Sequence, residues 1–263
     1  MFILQWNSGG LISHLPEFKQ HIQKSAPLIA AIQETHFRDS DKYNFDIPGY
    51  SLYQNNIDSP NRQGGVALYV SNKILHRETK INSQLNVVSV TATLFHCEML
   101  IMSLYIPPTY AVTPSILDGL VAQLPANHLI LGDFNAHNPL WGSQRLSPRG
   151  SMLEAVINKH SLVCMNDGSS TFRSFSYHTT SAIDLSISTP RVATMFEWTA
   201  TTDPLFSDHF PLHLLLTSAT PLFTAPHSTS WFTKQADWAA YNSSVARLIG
   251  HDSGINMAEC LEV

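Results

Sequence analysis

The chain has 263 residues, of which 44% are hydrophobic and only 13% are charged, and its formal net charge is −5. Globular proteins carry about 25% charged residues, so we expect few ion pairs on this surface. The acidic balance excludes a protein that binds nucleic acid through bulk positive charge, and any such binding must be local. An ordinary cytosolic domain has the same mild acidity.

The cysteines and the N-terminus indicate an intracellular protein. Cys97, Cys164 and Cys260 lie too far apart for a metal knuckle, and an odd number argues against a disulfide framework. The start of the chain, MFILQWNSGG, has no basic region before its apolar run, so we expect no signal peptide. No apolar stretch approaches the roughly 18 residues that span a bilayer, and we expect no membrane partner.

Short runs rich in Val, Ile and Leu predict β-strands along most of the chain. They lie at 2–6, 28–33, 65–70, 87–95, 98–105, 128–132, 182–188 and 211–216. Several of these strands follow one another directly. The pattern therefore excludes a purely alternating parallel architecture and favours sheets with helices packed outside them.

Two segments have helical spacing instead. The first shares one apolar face from Leu11 to Ile22, with Pro16 in its first turn or at a kink. The second begins at Ser147-Pro148, which is typical of an N-cap followed by a first-turn proline. After residue 217 the stretch TSATPLFTAPHSTS lacks periodicity and predicts a linker, so we expect a domain over 1–217 and a tail over 218–263.

Polar side chains follow four of the predicted strands. Asn7 follows the first, Glu34 the second and Tyr105 closes the fifth, while Asp133 and Asn135 follow the sixth. Ligands of open sheets gather beyond the carboxyl ends of strands, and oxygen ligands suit Mg²⁺ or Mn²⁺ better than zinc. Separately, each residue has a simpler explanation as a turn residue or a surface carboxylate. Their repetition after separate strands favours one oxygen-rich site.

The sequence SDH directly precedes the last predicted strand. Asp208 and His209 offer a further carboxylate and an imidazole that can bind a phosphate oxygen. Asp184 is the best candidate to fix the tautomer of His209 and favour its charged form. A polar strand start remains the alternative for SDH, and we interpret His213 as structural.

Six motifs in chain order resemble the endonuclease/exonuclease/phosphatase superfamily, which includes deoxyribonuclease I and the apurinic repair endonucleases. They are WN at 6–7, QET at 33–35, LYIPP at 104–108, GDFN at 132–135, AIDL at 182–185 and SDH at 207–209. The resemblance covers about 1–217. It implies an α/β (α+β) four-layer sandwich, in which two mixed β-sheets lie face to face with helices on the outside.

Three further segments resemble the endonuclease domain of jockey-like non-LTR retrotransposons. They are GGVALYV at 64–70, GDFNAHNPLWGS at 132–143 and SPRG at 147–150. The tail stretch WFTKQADWAAY at 231–241 is similar to the segment that leads to the reverse transcriptase. No polymerase motif of the ADD type occurs, so we expect the domain to be normally fused to a reverse transcriptase that is absent here.

The resemblance implies a role for each site residue. Glu34 resembles the principal metal ligand, with Asp208 near the same ion, and Asp133 would orient or deprotonate the attacking water. Asn7 and Asn135 would hold the water and the scissile phosphate, and Tyr105 would contact the phosphate. His209, oriented by Asp184, would stabilise charge on the phosphate, and Thr171 would make a further phosphate contact. Loop arginines beside the motifs are candidates for DNA phosphate contacts, although such side chains are usually only solvated: Arg62, Arg145, Arg149 and Arg173.

The resemblance implies a DNA endonuclease dependent on Mg²⁺, with Mn²⁺ as the alternative ion. It would nick one strand and leave a 3′-hydroxyl for target-primed reverse transcription, acting in the nucleus although no targeting signal is visible. Two alternatives stay open, an apurinic repair endonuclease or phosphatase of the same fold and a catalytically silent degenerate copy. Gly9 stands where the repair enzymes carry an acidic residue, and the sequence around Asp184 lacks the aromatic- and Arg-rich motif of the inositol phosphatases.

Overall fold

The chain divides into two units, Met1–Ala219 and Thr220–Val263. The computed structural model describes residues 1–56, 64–174 and 178–217. The predicted tail, 218–263, lies outside the described residues, so its role and the domain boundary at 217 stay predictions. Within the described residues no helix is long and apolar enough to cross a membrane.

The first unit contains two six-stranded mixed sheets. Sheet one has the strand order β13-β14-β1-β2-β4-β3, and only its β1–β2 pair is parallel. Its strands are β1 (Phe2–Asn7), β2 (Ile29–Gln33), β3 (Tyr50–Asn55), β4 (Val66–Ser71), β13 (Phe196–Ala200) and β14 (Leu212–Leu216).

Sheet two has the order β5-β6-β7-β8-β12-β9, with a parallel β7–β8 pair. Its strands are β5 (His76–Glu78), β6 (Asn86–Leu94), β7 (Cys97–Tyr105), β8 (His128–Asp133), β9 (Val163–Cys164) and β12 (Asp184–Ser188). A separate two-stranded ribbon pairs β10 (Phe172–Ser174) with β11 (Thr179–Ser181).

Four helices and two 3-10 turns complete the described part of the unit. They are α1 (Leu15–Ser25), α2 (Pro114–Val121), α3 (Pro148–Lys159) and α4 (Pro190–Ala193), with 3-10 turns at Leu11–His14 and Pro139–Trp141. Pro16 lies in the first turn of α1, where its missing N–H costs nothing. The Ser147 hydroxyl accepts from the Gly150 N–H and caps α3, as its sequence predicts.

Three apolar layers hold these elements together. One lies between the two sheets and includes Ile3, Val90 and Leu131. A second packs α1 on sheet one, and a third packs α2 and α3 on sheet two. Since both sheets are buried on both faces, their strands are continuous apolar runs, which explains why the sequence marks them so clearly. The predicted four-layer sandwich is confirmed.

The central strands of sheet two approach each other unusually closely near their ends. A Cβ at Gly132 would lie 2.4 Å from the carbonyl oxygen of Leu104, on the neighbouring strand β7. Only glycine fits this position. The strands therefore deliver Tyr105 and Asp133, which are paired in register, to one edge side by side.

Candidate metal centre and active site

Each sheet contributes half of a polar cluster at one rim. Asn7 and Glu34 come from the adjacent ends of β1 and β2 in sheet one. Asp133 ends β8 of sheet two and is paired in register with Asp184, the first residue of β12. The polar residues that follow separate strands in the sequence therefore lie at one shared edge of the two sheets.

A single amide joins the two halves. The Asn7 Nδ2 group donates to Glu34 Oε1 and to Asp133 Oδ2, both at 2.9 Å. Its Oδ1 accepts from the Gly9 N–H at 3.0 Å, which fixes the orientation of the amide. Asn7 is 1% exposed. The two carboxylates are therefore held about one amide group apart, a separation that a cation can bridge.

Ligand atoms from Glu34, Asp133 and His209 all lie within 4.8 Å of one another. Carboxylate oxygens such as those of Glu34 and Asp133 suit a divalent cation. Asp208 is not a member of this group. Its side chain is 43% exposed, it accepts from the Ser207 hydroxyl at 3.3 Å, and its Oδ1 lies 3.9 Å from His209 Nε2. The expectation that Asp208 joins Glu34 at the ion stays a prediction.

The backbone around Glu34 is in an unfavourable conformation. Glu34 has a φ of 50° and His36 a φ of 56°, and each such non-glycine residue costs on the order of 1–3 kcal/mol. Backbone bonds on either side stabilise it, from the Gly10 N–H to Glu34 O at 2.9 Å and from the His36 N–H to Gly64 O at 3.0 Å. The chain thus turns the Glu34 carboxylate to the rim at the cost of local strain.

His36 is a site residue that the sequence reasoning missed. Its Nε2 lies 3.3 Å from Glu34 Oε2, so that Glu34 is held by Asn7 on one oxygen and His36 on the other. Burial alone would raise the pKa of Glu34, but these hydrogen bonds and the charge of His209 together hold that pKa below its usual value. The signal was its place two residues after Glu34 in QETHF.

Asp184, His209 and Thr171 form a buried chain behind the rim. Asp184 Oδ2 accepts from His209 Nδ1 at 2.8 Å and from the Thr171 hydroxyl at 2.7 Å. Burial lowers the pKa of His209, but Asp184 first and then Asp133 and Asp208 outweigh it and raise the pKa to about 9. At neutral pH the imidazole is therefore charged and its tautomer is no longer in question.

Thr171 differs from its expected role. It is fully buried, its hydroxyl donates to Asp184, and the same oxygen accepts from the N–H groups of Ile183 and Asp184 at 3.0 Å. A hydroxyl has one donor and two acceptor positions, so none is left for a phosphate. The Thr171 hydroxyl therefore holds Asp184 in place in this structure, and its expected phosphate contact stays a prediction.

Asp133 is a deeply buried carboxylate of the rim, 1% exposed. Burial, with the neighbouring charge of Asp184, raises its pKa far above its ordinary value. Asn135, with a φ of 48°, donates to it from its backbone N–H at 2.8 Å and from Nδ2 at 3.1 Å. The turn explanation for Asn135 and the site explanation therefore both hold, because the turn itself orients the Asp133 carboxylate.

Tyr105 lies beside these carboxylates with 5% of its surface exposed. Burial, then the charges of Glu34 and Asp133, raise the pKa of its phenol well above the ordinary value. The phenol therefore stays protonated at neutral pH and is able to donate a hydrogen bond.

The arginines separate into different roles. The Arg149 guanidinium donates to five backbone carbonyls, those of Ile106, Pro107, Pro108, Tyr110 and Phe134, at 2.7–3.4 Å. It therefore ties the loop after Tyr105 to the turn after Asp133, which differs from the expected DNA contact. Arg145 is exposed and donates to His137 Nε2 at 3.0 Å. Arg173 is exposed on β10. Arg62 lies outside the described residues.

Two open clefts border the rim on the side of the Asn7–Gly10 turn. One, of about 490 Å³, is lined by Ser8, Gly9 and residues 204–208. The other, of about 360 Å³, is lined by residues that include Gly10, His36 and Tyr43. Both are shallow, so they suit an extended ligand that lies across the surface better than an enclosed small molecule.

Two face-to-face mixed sheets with outer helices are also the architecture of the endonucleases that this chain resembles in structure. A family model described as "Endonuclease-reverse transcriptase" matches residues 99–213. The fold is similar to the endonuclease domain of TRAS1, a telomere-specific non-LTR retrotransposon (21% identity, TM-score 0.67, 82% of this chain and 97% of that one). It is also similar to the AP endonuclease LMAP from Leishmania major (13% identity, TM-score 0.66, 82% and 87%).

The chain resembles the endonuclease/exonuclease/phosphatase superfamily, and the family match lies over residues 99–213. Within it, the chain resembles the endonuclease domain of jockey-like non-LTR retrotransposon polyproteins. It is 26% identical over 264 residues to the RNA-directed DNA polymerase from mobile element jockey of Drosophila melanogaster. That alignment covers 96% of this chain but only 27% of the relative, so the chain spans about a quarter of the curated relative's length.

Proposed function

We propose that this chain is a Mg²⁺-dependent DNA endonuclease that hydrolyses one phosphodiester bond and leaves a 3′-hydroxyl. The observation that carries the proposal is the convergence of Glu34, Asp133 and a charged His209 within 4.8 Å at an accessible rim. Phosphodiester hydrolysis must place an anionic nucleophile beside an anionic phosphate. A site that has both carboxylates and a fixed positive charge can bring these two anionic groups together.

The residues present fit a divalent cation. Glu34 stays ionised because its pKa is lowered, and it is the one of the two carboxylates that is partly exposed, at 21% of its side chain. Glu34 would hold the ion, with Asp208 and Asp133 as the neighbouring oxygen donors. When bound, a divalent cation neutralises phosphate charge and polarises the phosphoryl oxygen.

The chain's own groups divide the remaining work. Asp133, whose pKa is raised, is suited to accept the proton of the attacking water, because a general base works best when its pKa lies near the operating pH. Asn7 and Asn135 orient that carboxylate and the water. His209 donates a hydrogen bond to the phosphate as negative charge grows, and Asp184 keeps it charged and aligned. Tyr105 donates a further hydrogen bond from its protonated phenol.

We further propose that the nick primes reverse transcription. The relative named above is an RNA-directed DNA polymerase, and an endonuclease beside such a polymerase would supply the 3′-hydroxyl that it extends. The substrate is then chromosomal DNA, which puts the point of action in the nucleus.

Nicking of supercoiled plasmid tests the proposal. We expect relaxed circles with Mg²⁺, none with chelator, and extension of the nick by an added DNA polymerase, which requires a free 3′-hydroxyl. Asp133→Ala is to reduce the rate by about 10²–10⁴-fold or more. Near-wild-type nicking by that variant refutes the assignment of Asp133.

An oligonucleotide with one abasic site separates the runner-up functions. Cleavage confined to that substrate favours a repair endonuclease, and release of phosphate from a 3′-phosphate end favours a phosphatase. Gly9 counts against repair, because it stands where the repair enzymes carry an acidic residue, and its φ of 56° disfavours a side chain there. DNA binding without cleavage of any substrate indicates a silent copy.

A further inference from the structure

Two buried glutamines connect the sheets directly beneath the site. Gln5 on β1 and Gln33 on β2 belong to sheet one, and both are 0% exposed. Their side chains lie in the layer between the sheets, among apolar residues such as Ile3 and Val90. Burying an amide in such a layer is costly unless it makes hydrogen bonds. Both amides do so through Nε2, although Gln33 Oε1 has no hydrogen-bond partner among the described residues.

Gln5 reaches across to two strands of sheet two. Its Nε2 donates to the carbonyls of Gly132 on β8 and Leu185 on β12, both at 3.2 Å. These two residues are paired in register. Its Oε1 accepts from the Ser186 hydroxyl at 2.7 Å. One side chain therefore joins the β8–β12 pair to β1.

Gln33 makes a similar connection one strand away. Its Nε2 donates to Ser103 Oγ on β7 at 2.9 Å and to Leu131 O on β8 at 3.3 Å. The Ser103 hydroxyl in turn donates back to Ile32 O on β2 at 3.1 Å. Ser103 and Leu131 are also paired in register. The bonds run in both directions, so this contact is specific to one alignment of the sheets.

The bonds lie immediately beside the reacting residues. Gln33 directly precedes Glu34, and Gly132, which Gln5 contacts, directly precedes Asp133. Apolar packing is non-directional, whereas a hydrogen bond weakens steeply when its distance or angle changes. We propose that Gln5 and Gln33 are positioning residues that fix the registration of the two sheets and thereby the separation of the Glu34 and Asp133 carboxylates. This inference rests on the proposed function for its catalytic consequence.

Gln5→Met and Gln33→Met test the proposal, since methionine keeps the volume and removes the hydrogen bonds. We expect Mn²⁺ affinity, measured by calorimetry without DNA, to fall about 10–100-fold. The kcat of plasmid nicking is to fall about 10²-fold, as for a displacement near 1 Å, with KM little changed. Val90→Ala is the matched control, because it loosens the same layer through a cavity. It is to lower the urea midpoint while Mn²⁺ affinity and kcat stay at the wild-type level.

The NMR signals of the Asn7 side-chain amide can be measured without metal and without DNA. Because it bridges Glu34 and Asp133, its NMR signals are to shift in both glutamine variants and to stay in place in Val90→Ala. Unshifted signals in folded Gln→Met variants overturn the positioning role whether or not the wild type cuts DNA. Absence of nicking by the wild type, with the expected shifts present, overturns the proposed function alone.

Milder variants cover failure of the methionine variants to fold. Ser103→Ala and Ser186→Ala each remove one partner from one glutamine at little cost in volume. We expect the same changes in the Asn7 signals and in kcat, smaller in size. Wild-type behaviour of both serine variants, with a lowered urea midpoint, reduces the glutamines to ordinary stabilising contacts and refutes the proposal.

Discussion

His209 Nδ1 and Asp184 Oδ2 are 2.8 Å apart, and both side chains are almost completely buried, at 6% and 2% exposure. An imidazolium and a carboxylate so enclosed depend on each other, since either one alone would be an uncompensated buried charge. Their pairing keeps His209 charged within reach of Glu34 and Asp133. The predictions below begin with this pair.

Asp184→Asn is expected to reduce nicking by about 10²–10⁴-fold. The amide keeps the shape but removes the charge that holds the pKa of His209 high, so the imidazole loses its proton at neutral pH. Plasmid nicking at saturating Mg²⁺ measures the effect. Asp118→Asn is the control and is to retain activity, because this partly exposed carboxylate pairs with Lys159 and His160 on the outer helices. Wild-type rates for Asp184→Asn contradict the role of the pair.

The stability of the metal-free protein is expected to fall as pH rises from about 6.5 to 9. His209 has a pKa of about 9 when folded and 6.5 as its ordinary value, so the folded state binds more protons in this window. The stabilisation is fully present below 6.5 and is lost as pH passes 9, with a slope of up to about 1.4 kcal/mol per pH unit. Urea unfolding at several pH values measures it, against His209→Asn. A wild-type slope equal to that of His209→Asn shows that His209 is uncharged in the fold.

Thr171→Val is expected to destabilise the protein by about 1–3 kcal/mol. The change keeps the shape but leaves the N–H groups of Ile183 and Asp184 without their acceptor. Thr171→Ser, which keeps the hydroxyl, is to stay near wild type in urea unfolding. If Thr171→Val unfolds like the wild type and only weakens DNA binding, Thr171 has the phosphate-contacting role that the sequence suggested.

Arg149→Lys is expected to lower stability by about 2–3 kcal/mol, because an ammonium cannot reach the five carbonyls that the guanidinium fork contacts. The salt dependence of DNA binding is to stay unchanged. Arg145→Ala, at an exposed side chain, is the contrasting variant, with wild-type stability and a salt slope reduced by about 1. The reverse assignment of these two effects, measured by urea unfolding and by binding at several salt concentrations, contradicts the separation of roles.

The sequence predicts the central strands well, because their apolar residue types are a local signal. It also marks several candidate site residues that the structure brings together, because their places at strand ends are local signals, and the roles of these residues stay predictions. The sequence does not predict the edge strand Tyr50–Asn55, since it is only partly buried and mostly polar. It also does not predict the helix Pro114–Val121, because this helix is only two turns long.

What the sequence misses in the site depends on contacts between distant segments. Thr171 and Arg149 stand beside the right motifs, but whether a hydroxyl or guanidinium faces solvent is decided by the burial of residues far along the chain. His36 has no strand end to mark it, and its contact with Glu34 follows from a backbone conformation that a simple alternation does not predict. The sequence marks candidate residues where a strand ends, but it does not mark the residues that hold them in place.

The first and last strands of sheet one lie side by side, with Phe2 opposite Leu215. His209, which completes the cluster with Glu34 and Asp133, arrives just before that last strand. During synthesis the amino-terminal segments of a domain emerge first, so Asn7 and Glu34 are made well before Asp133, and His209 is made last of the four. The cluster of Glu34, Asp133 and His209 is therefore complete only when the closing strand docks.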